Sequence, residues 1–353
     1  MYSYVPEPDR RFHLWLTDWR QLLEGGYSEA VEPIDESATM TRTAPLFLTA
    51  AAALSVASAS AQQSTAPFQI AETGQTFSEL GYAINAIGGG QGTIIIAPGT
   101  YRNCAVQSEG HISYRAEVPG RSIFDGGICE GKAALVLRGQ SAAIDGLVFQ
   151  NMRVPDGNGA GIRLEKGNLA ITRSVFRNSE QGILTAQDPA GEIVIDQTTF
   201  SELGRCDRGL SCAHSIYIGD FASLTVTRSR FERGNGGHYV KSRAARAIIQ
   251  NNAFDDTRGQ ATNYMIDLPA GASGMISGNV FVQGQDKENY SAFIAIAAEG
   301  RQRSSAGLAI SGNDASLGTG VDRNTVFLAD WSGDAIVLGA NRLGRGLKPF
   351  EKR

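Results

Sequence analysis

Beyond residue 61 the 353-residue sequence has no long hydrophobic run: nothing there approaches the roughly 18 consecutive apolar residues that a membrane-spanning helix requires. No membrane span is therefore expected. Cysteine is scarce, with 4 residues, and neither a C-x-x-C nor an H-x-x-x-H pair accompanies them. Zinc is thus the least favoured explanation for Cys104, Cys129, Cys206 and Cys212, and no metal site is predicted. Helical periodicity is missing as well. Past residue 90 no segment keeps a 3.6-residue apolar period over three turns, which excludes a helical bundle and leaves strands as the dominant element.

The longest apolar stretch belongs to a segment with its own logic. "MTRTAPLFLTAAAALSVASASAQQ", starting at Met40, has a basic n-region with Arg42, an apolar run from Ala44 to Val56 and small residues before Gln62. That is the layout of a secretory signal, too short to span a membrane, so residues 40–61 are expected to be a signal peptide and residues 62–353 an exported, soluble domain. Residues 1–39 lie upstream of a complete signal and read as a mis-assigned or non-native extension. An even number of cysteines in an oxidising compartment favours disulfides, with Cys104 paired to Cys129 and Cys206 to Cys212 as the preferred connectivity.

Charge of one sign is also missing after the signal. Residues 1–61 hold four basic and eight acidic side chains, and the remainder carries 28 of each. Bulk attraction to nucleic acid or to an anionic membrane is not supported. Against this balance, acidic residues are absent between Glu232 and Asp255, where Arg233, His238, Lys241, Arg243 and Arg246 all fall, most of them in "GGHYVKSRAAR".

What fills the sequence instead is a repeat. "IDGLVF", "ITRSVF", "IDQTTF", "VTRSRF", "IQNNAF" and "ISGNVF" end at Phe149, Phe176, Phe200, Phe231, Phe254 and Phe281, with spacings of 27, 24, 31, 23 and 27. One apolar–polar–small pattern per 25 or so residues is how a solenoid coil appears in sequence, with variable spacing absorbed by loops. The opening "FSELGYAINAIGGGQGTIIIAPGTY" passes through a flexible glycine turn at Gly88 to Gly92 and reaches "PGTY" at Pro98 to Tyr101. With these features the chain resembles, over residues 68 to 345, the right-handed parallel β-helix proteins of the pectate-lyase-like superfold. The resemblance implies an all-β fold, a single-stranded right-handed parallel β-helix whose short N-terminal helix caps the first coil.

Counting back from the phenylalanines stacks "HSIYIGD" (214 to 220), "GHYVKSR" (237 to 243) and "YMIDLPA" (264 to 270) on successive turns, about 4.8 Å apart. Ile216, Tyr239 and Ile266 share one count, 15 residues before their phenylalanines. A Val240 pointing inward sends Tyr239, Lys241 and Arg243 outward beside Tyr217 and Asp267, because a buried Lys241 is costly without a partner. The candidate catalytic residues are accordingly Lys241, Arg243, His238, Tyr217, His214 and Asp267. Tyr239, Arg246, Arg163, Lys287 and Tyr290 are candidate substrate-binding residues, and the loop pinned by Cys206 and Cys212 forms a wall before His214.

A basic groove bearing tyrosines suits an acidic polysaccharide: arginine and lysine bind carboxylates, and tyrosine packs on sugar faces. For a lyase or uronate epimerase, a cation neutralises the uronate, Lys241 or His238 takes the C5 proton, and Tyr217 or Tyr239 protonates the leaving oxygen. Neighbouring positive charge is expected to depress the lysine pKa for that purpose. The alternatives are a glycoside hydrolase pairing Asp267 with Asp220, Asp255 or Asp256, and a non-catalytic glycan-binding protein. The polygalacturonase set N-T-D, D-D, G-H-G, R-I-K and the pectate lyase W-I-D-H and R-x-P signatures are absent, so no family catalytic role transfers to these positions. No cofactor is predicted, with calcium left as the one open candidate. The chain is expected to be a monomer, periplasmic or secreted.

Overall fold

The structure is a computed structural model and describes residues 66–353. The expected extension (1–39) and signal (40–61) lie outside the described residues.

Three sheets of 12, 10 and 10 strands form the faces of a solenoid, and each turn contributes one strand to each face. The first face runs from Thr76–Phe77 to Val337–Leu338, the second from Gly99–Tyr101 to Arg342–Leu343, and the third from Ala105–Gln107 to Leu347–Lys352. After an antiparallel start at Phe68–Ile70, the ladders are parallel. This is the right-handed parallel β-helix anticipated from the repeat.

The phenylalanine register is the spine of the second face. Phe149, Phe176, Phe200, Phe231, Phe254 and Phe281 are rung partners. Their rings stack with centroids 5.0, 5.1, 4.9, 4.8 and 4.9 Å apart, and Phe124 extends the column at 5.4 Å. One large flat side chain per turn fills the core at the repeat distance of the backbone, so the hexapeptide ending is a packing requirement. A second column follows the same logic with amides: Asn252, Asn279 and Asn313 pass hydrogen bonds of 3.0, 3.0 and 2.8 Å from turn to turn, the last reaching Asn341. These amides satisfy backbone groups at a corner where the chain changes face.

The open end is covered as expected. Helix α1 (Leu80–Ile87) buries Leu80, Ala83 and Ile84 on the first coil, removing the apolar core and unpaired edge that an uncapped solenoid exposes. Both disulfides form with the expected partners, Cα atoms 5.4 Å apart for Cys104–Cys129 and 4.4 Å for Cys206–Cys212.

One register detail differs from the spacing count. Ile216 pairs with Val240, and Val240 with Ile266, so Tyr239 is not in their column. The cause is a shortened corner: five residue steps separate Ile218 from Ser223, and four separate their rung partners Ser242 and Arg246. The missing residue lies between Lys241 and Phe254, which moves every position upstream of it by one.

Candidate functional site

The site lies on the outer surface of the third face. Its strands are β1 (Ala160–Leu164), β2 (Gln181–Thr185), β3 (Ile216–Ile218), β4 (Val240–Ser242), β5 (Ile266–Leu268) and β6 (Ala292–Ile296). Alternation within each short strand sends one central side chain outward, and the ladder aligns them as Arg163, Leu184, Tyr217, Lys241, Asp267 and Ala295. Three consecutive turns thus set a phenol, an ammonium and a carboxylate in one column. Arg163 occupies the same column two rungs before Tyr217, where burial lowers its pKa.

A second column runs along the approach to these strands. His214 stacks on His238 with centroids 4.9 Å apart, and His238 stacks on Tyr264 at 5.5 Å. The backbone N–H of His238 donates to His214 Nδ1 at 3.0 Å, which leaves the proton of neutral His214 on Nε2. Burial and the Lys241 charge push His214 down to about 3. Burial, then His214 and Lys241, hold His238 well below the usual histidine value, so both rings are neutral at pH 7.

The two columns meet at Asp267. His238 Nε2 lies 3.4 Å and Lys241 Nζ 3.2 Å from its Oδ2, while its buried Oδ1 has no hydrogen-bond partner. Burial pushes the Asp267 carboxyl up to about 6 against the pull of Lys241. Lys241 behaves oppositely to expectation: burial works against its charge, but Asp267 and Glu299 outweigh it and raise the pKa above the ordinary lysine value. Lys241 is a paired ammonium, and the expected depressed lysine base is corrected. Lys241, expected to stay outside because burying it alone is costly, is 8% exposed and is tolerated because Asp267 and Glu299 face it.

Glu299 was not singled out from sequence. It sits in the turn after β6, where one carboxylate oxygen accepts from Lys241 Nζ and the other from Arg243 Nη2. Arg243 Nε also donates to Tyr217 Oη at 3.2 Å, and Lys241 Nζ lies 5.9 Å from the centroid of the Tyr217 ring. The signal for Glu299 is long-range: it stands 58 residues from Lys241, in a segment with no basic neighbour before Arg301. Six expected catalytic residues therefore converge, joined by a seventh.

The expected substrate-binding residues divide. Tyr239 points inward, 1% exposed, wedged against Phe231 and Phe254, and its hydroxyl donates to Asp256 at 2.7 Å. The inference that Tyr239 projects beside Lys241 is corrected, because it precedes β4 at a bend where two consecutive residues, Tyr239 and Val240, both face the core. Lys287 is also corrected: its Nζ is 3.0 Å from Asp256 Oδ2 with both side chains 0% exposed. Arg246 lies around the corner on the first face, paired between Ser223 and Ser273. Tyr290 is exposed, with the Arg323 guanidinium 4.8 Å from its ring. The carboxylates expected to partner Asp267 are engaged elsewhere: Asp220 with Arg303, Asp256 with Lys287, and Asp255 with Arg230 on the second face. Among the described residues no cluster of three or more His, Cys, Asp or Glu is arranged to hold a metal ion.

A hollow of about 910 Å³ opens at the disulfide loop, lined by Arg153, Glu180, Arg205 and Asp286 and by none of the cluster residues. The loop is thus a wall, but of a separate concavity.

No curated protein sequence matches the chain. Among solved structures, the PL6 family alginate lyase AlyGC superposes with a TM-score of 0.44 at 12% identity, covering 71% of this chain and 36% of that one. A protein of a Geobacillus virus gives a TM-score of 0.42 at 15% identity, covering 76% and 55%. The chain spans between a third and just over half of the length of these structures. Residues 134–333, more than half of the sequence, match the model of the right-handed β-helix region, and with the coil observed here the chain belongs to that family.

Proposed function

We propose that the protein is an exported carbohydrate-active enzyme that removes the C5 proton of a uronate in an acidic polysaccharide, as a lyase or an epimerase. The observation that carries this reading is that Lys241 and Arg243 converge on one carboxylate beside Tyr217 and Asp267. Two cations on the carboxylate of a bound uronate withdraw charge from it and make the adjacent C5 proton more acidic. Asp267 supplies the base. Its carboxyl, lifted to about 6, holds a proton more strongly than an ordinary aspartate and is still ionised at neutral pH. His238, 3.4 Å behind it, orients the carboxylate. The Tyr217 hydroxyl accepts from Arg243, so its own proton is directed away from the guanidinium and toward a leaving oxygen. Returning the proton to C5 from the opposite side gives epimerisation; losing the C4 oxygen gives elimination. In this scheme Lys241 and Arg243 perform the charge neutralisation, and no cofactor is assigned; added chelator checks for calcium. Two disulfides support an oxidising compartment, periplasmic or extracellular.

Incubation with a panel of uronate polymers tests the reading. New ultraviolet absorbance from a conjugated product marks elimination, and solvent deuterium appearing at C5 without cleavage marks epimerisation. Neither signal with any polymer refutes it. A hydrolytic reading is favoured by one observation: Asp267 and Glu299 share the Lys241 ammonium while their pKa values are displaced in opposite directions, upward and downward. Such a split is what an acid and a nucleophile need. Reducing ends appearing without absorbance select it.

A further inference from the structure

We propose that Glu299 sits in the seat of a ligand carboxylate, so that the turn carrying it is a built-in competitor that swings out when an acidic sugar binds. The inference rests on the reading of Lys241 and Arg243 as an anion cradle, and it names what holds that cradle in the free protein.

Geometry carries it. The two oxygens of the Glu299 carboxylate are divided between two cations, Oε1 to Lys241 Nζ and Oε2 to Arg243 Nη2, which is how a pair of cations grips a planar two-oxygen anion. A uronate presents the same group on a ring. Glu299 is also the outermost member of the cluster: its side chain is 43% exposed, against 10% for Lys241 and 3% for Asp267. It covers the others without being enclosed by them. Its carboxylate is supplied from two turns on from Arg243, by the connection that follows β6. That turn is fastened by the backbone N–H groups of Ala297 and Glu299, which donate to Leu268 and Pro269 at 2.8 and 3.0 Å. Ala297 and Gly300, at its two ends, have φ of 57° and 146°, so the turn is an irregular connection following β6, and releasing Glu299 gives up its N–H bond to Pro269. Displacing it uncovers Asp267, the proposed base, together with the two cations. Lys241 keeps Asp267 as a partner and Arg243 keeps Tyr217, so an emptied cradle is left with one uncompensated positive charge. A ligand bearing a single carboxylate restores the balance.

Isothermal titration of the full chain with sodium glucuronate, and with glucose as the uncharged control, tests this. Glu299→Ala and Glu299→Gln are expected to bind glucuronate about tenfold more tightly than the unaltered protein, the size of one charge-assisted contact no longer contested. Glucose affinity should not change. Adding Arg243→Ala to Glu299→Ala should abolish the gain. Unchanged or weaker glucuronate binding in both Glu299 variants, with an unaltered melting curve, overturns the proposal, as does an equal gain for glucose. The Gln variant preserves the side-chain volume if the Ala variant folds poorly. Tighter glucuronate binding without turnover of any uronate polymer upholds the competitor and refutes the catalytic reading. Turnover by the unaltered protein with no affinity gain in either variant does the reverse.

Discussion

Replacing Asp256 by alanine should be among the most damaging single changes in this solenoid, and the reasons can be worked through residue by residue. Asp256 accepts from Tyr239 Oη at 2.7 Å, Thr262 Oγ1 at 2.8 Å and the Gly284 N–H at 3.2 Å, and it faces Lys287 Nζ at 3.0 Å. Both members of the ion pair have side chains 0% exposed. Asp256→Ala leaves two hydroxyls without their acceptor and an ammonium whose remaining hydrogen bond goes to the Asn263 carbonyl at 2.6 Å. Breaking a buried pair from one side costs about 3–5 kcal/mol. In a chain of this size that lowers the melting midpoint by roughly 5–8 °C. The sign of the pH dependence follows from Lys287, whose pKa burial already lowers despite Asp256. Without the carboxylate it falls further, so the folded state binds fewer protons than the unfolded state and the loss of stability deepens as pH falls. Lys287→Met should cost less, because Asp256 retains three donors. Thermal melts read by circular dichroism at pH 6 and pH 9 check all of this, with Arg173→Ala, an exposed partner of Asp145, as a control expected to leave the melt nearly unchanged. A loss for Asp256→Ala no larger than the control, or one that eases on acidification, refutes the reasoning.

Phe200→Ala removes a ring stacked between Phe176 and Phe231 and should cost about 3–5 kcal/mol by chemical denaturation, since the neighbouring turns are held at the backbone repeat and cannot collapse into the gap. With a uronate substrate established, the activity should rise with pH through about 6 as Asp267 ionises; a rate that falls across the same interval instead assigns Asp267 the acid role of the hydrolytic reading. Tyr217→Phe should lower turnover by about 100-fold or more while leaving the melting midpoint within about 2 °C, because it removes a proton donor and one partially exposed hydroxyl. A Tyr217→Phe variant with normal turnover removes this residue from the proton-transfer step.

How far the sequence discloses this protein depends on whether a feature is repeated or single. The coil is legible because the same constraint recurs over its central turns: a phenylalanine holds the second-face rung from Phe124 to Phe281, with Tyr101 before it and Ala315 and Leu343 after it, and six hexapeptides display the run. The site column was legible for a related reason, since Tyr217, Lys241 and Asp267 sit at equivalent points of three short strands, and a lysine there is tolerable only facing outward or facing a carboxylate. Single events were opaque. One residue fewer between Ser242 and Arg246 is invisible to a count taken from phenylalanines, yet it decides that Tyr239 faces the core. Lys287 carries the composition of a surface loop and ends in the interior, because Asp256, 31 residues earlier, had already committed its own charge there. Glu299 is the sharpest case. Nothing local distinguishes it from any exposed glutamate in a turn, and its meaning arises when the solenoid brings it over two cations some 56 to 58 residues away. A stretch without acids, from 233 to 254, therefore did not signify an unopposed positive patch. The opposing carboxylates were supplied by the turns that follow, Asp267 from the next and Glu299 from the one after, and a charge gap along a coiled chain is a prompt to look one rung away before assigning the charge to a ligand.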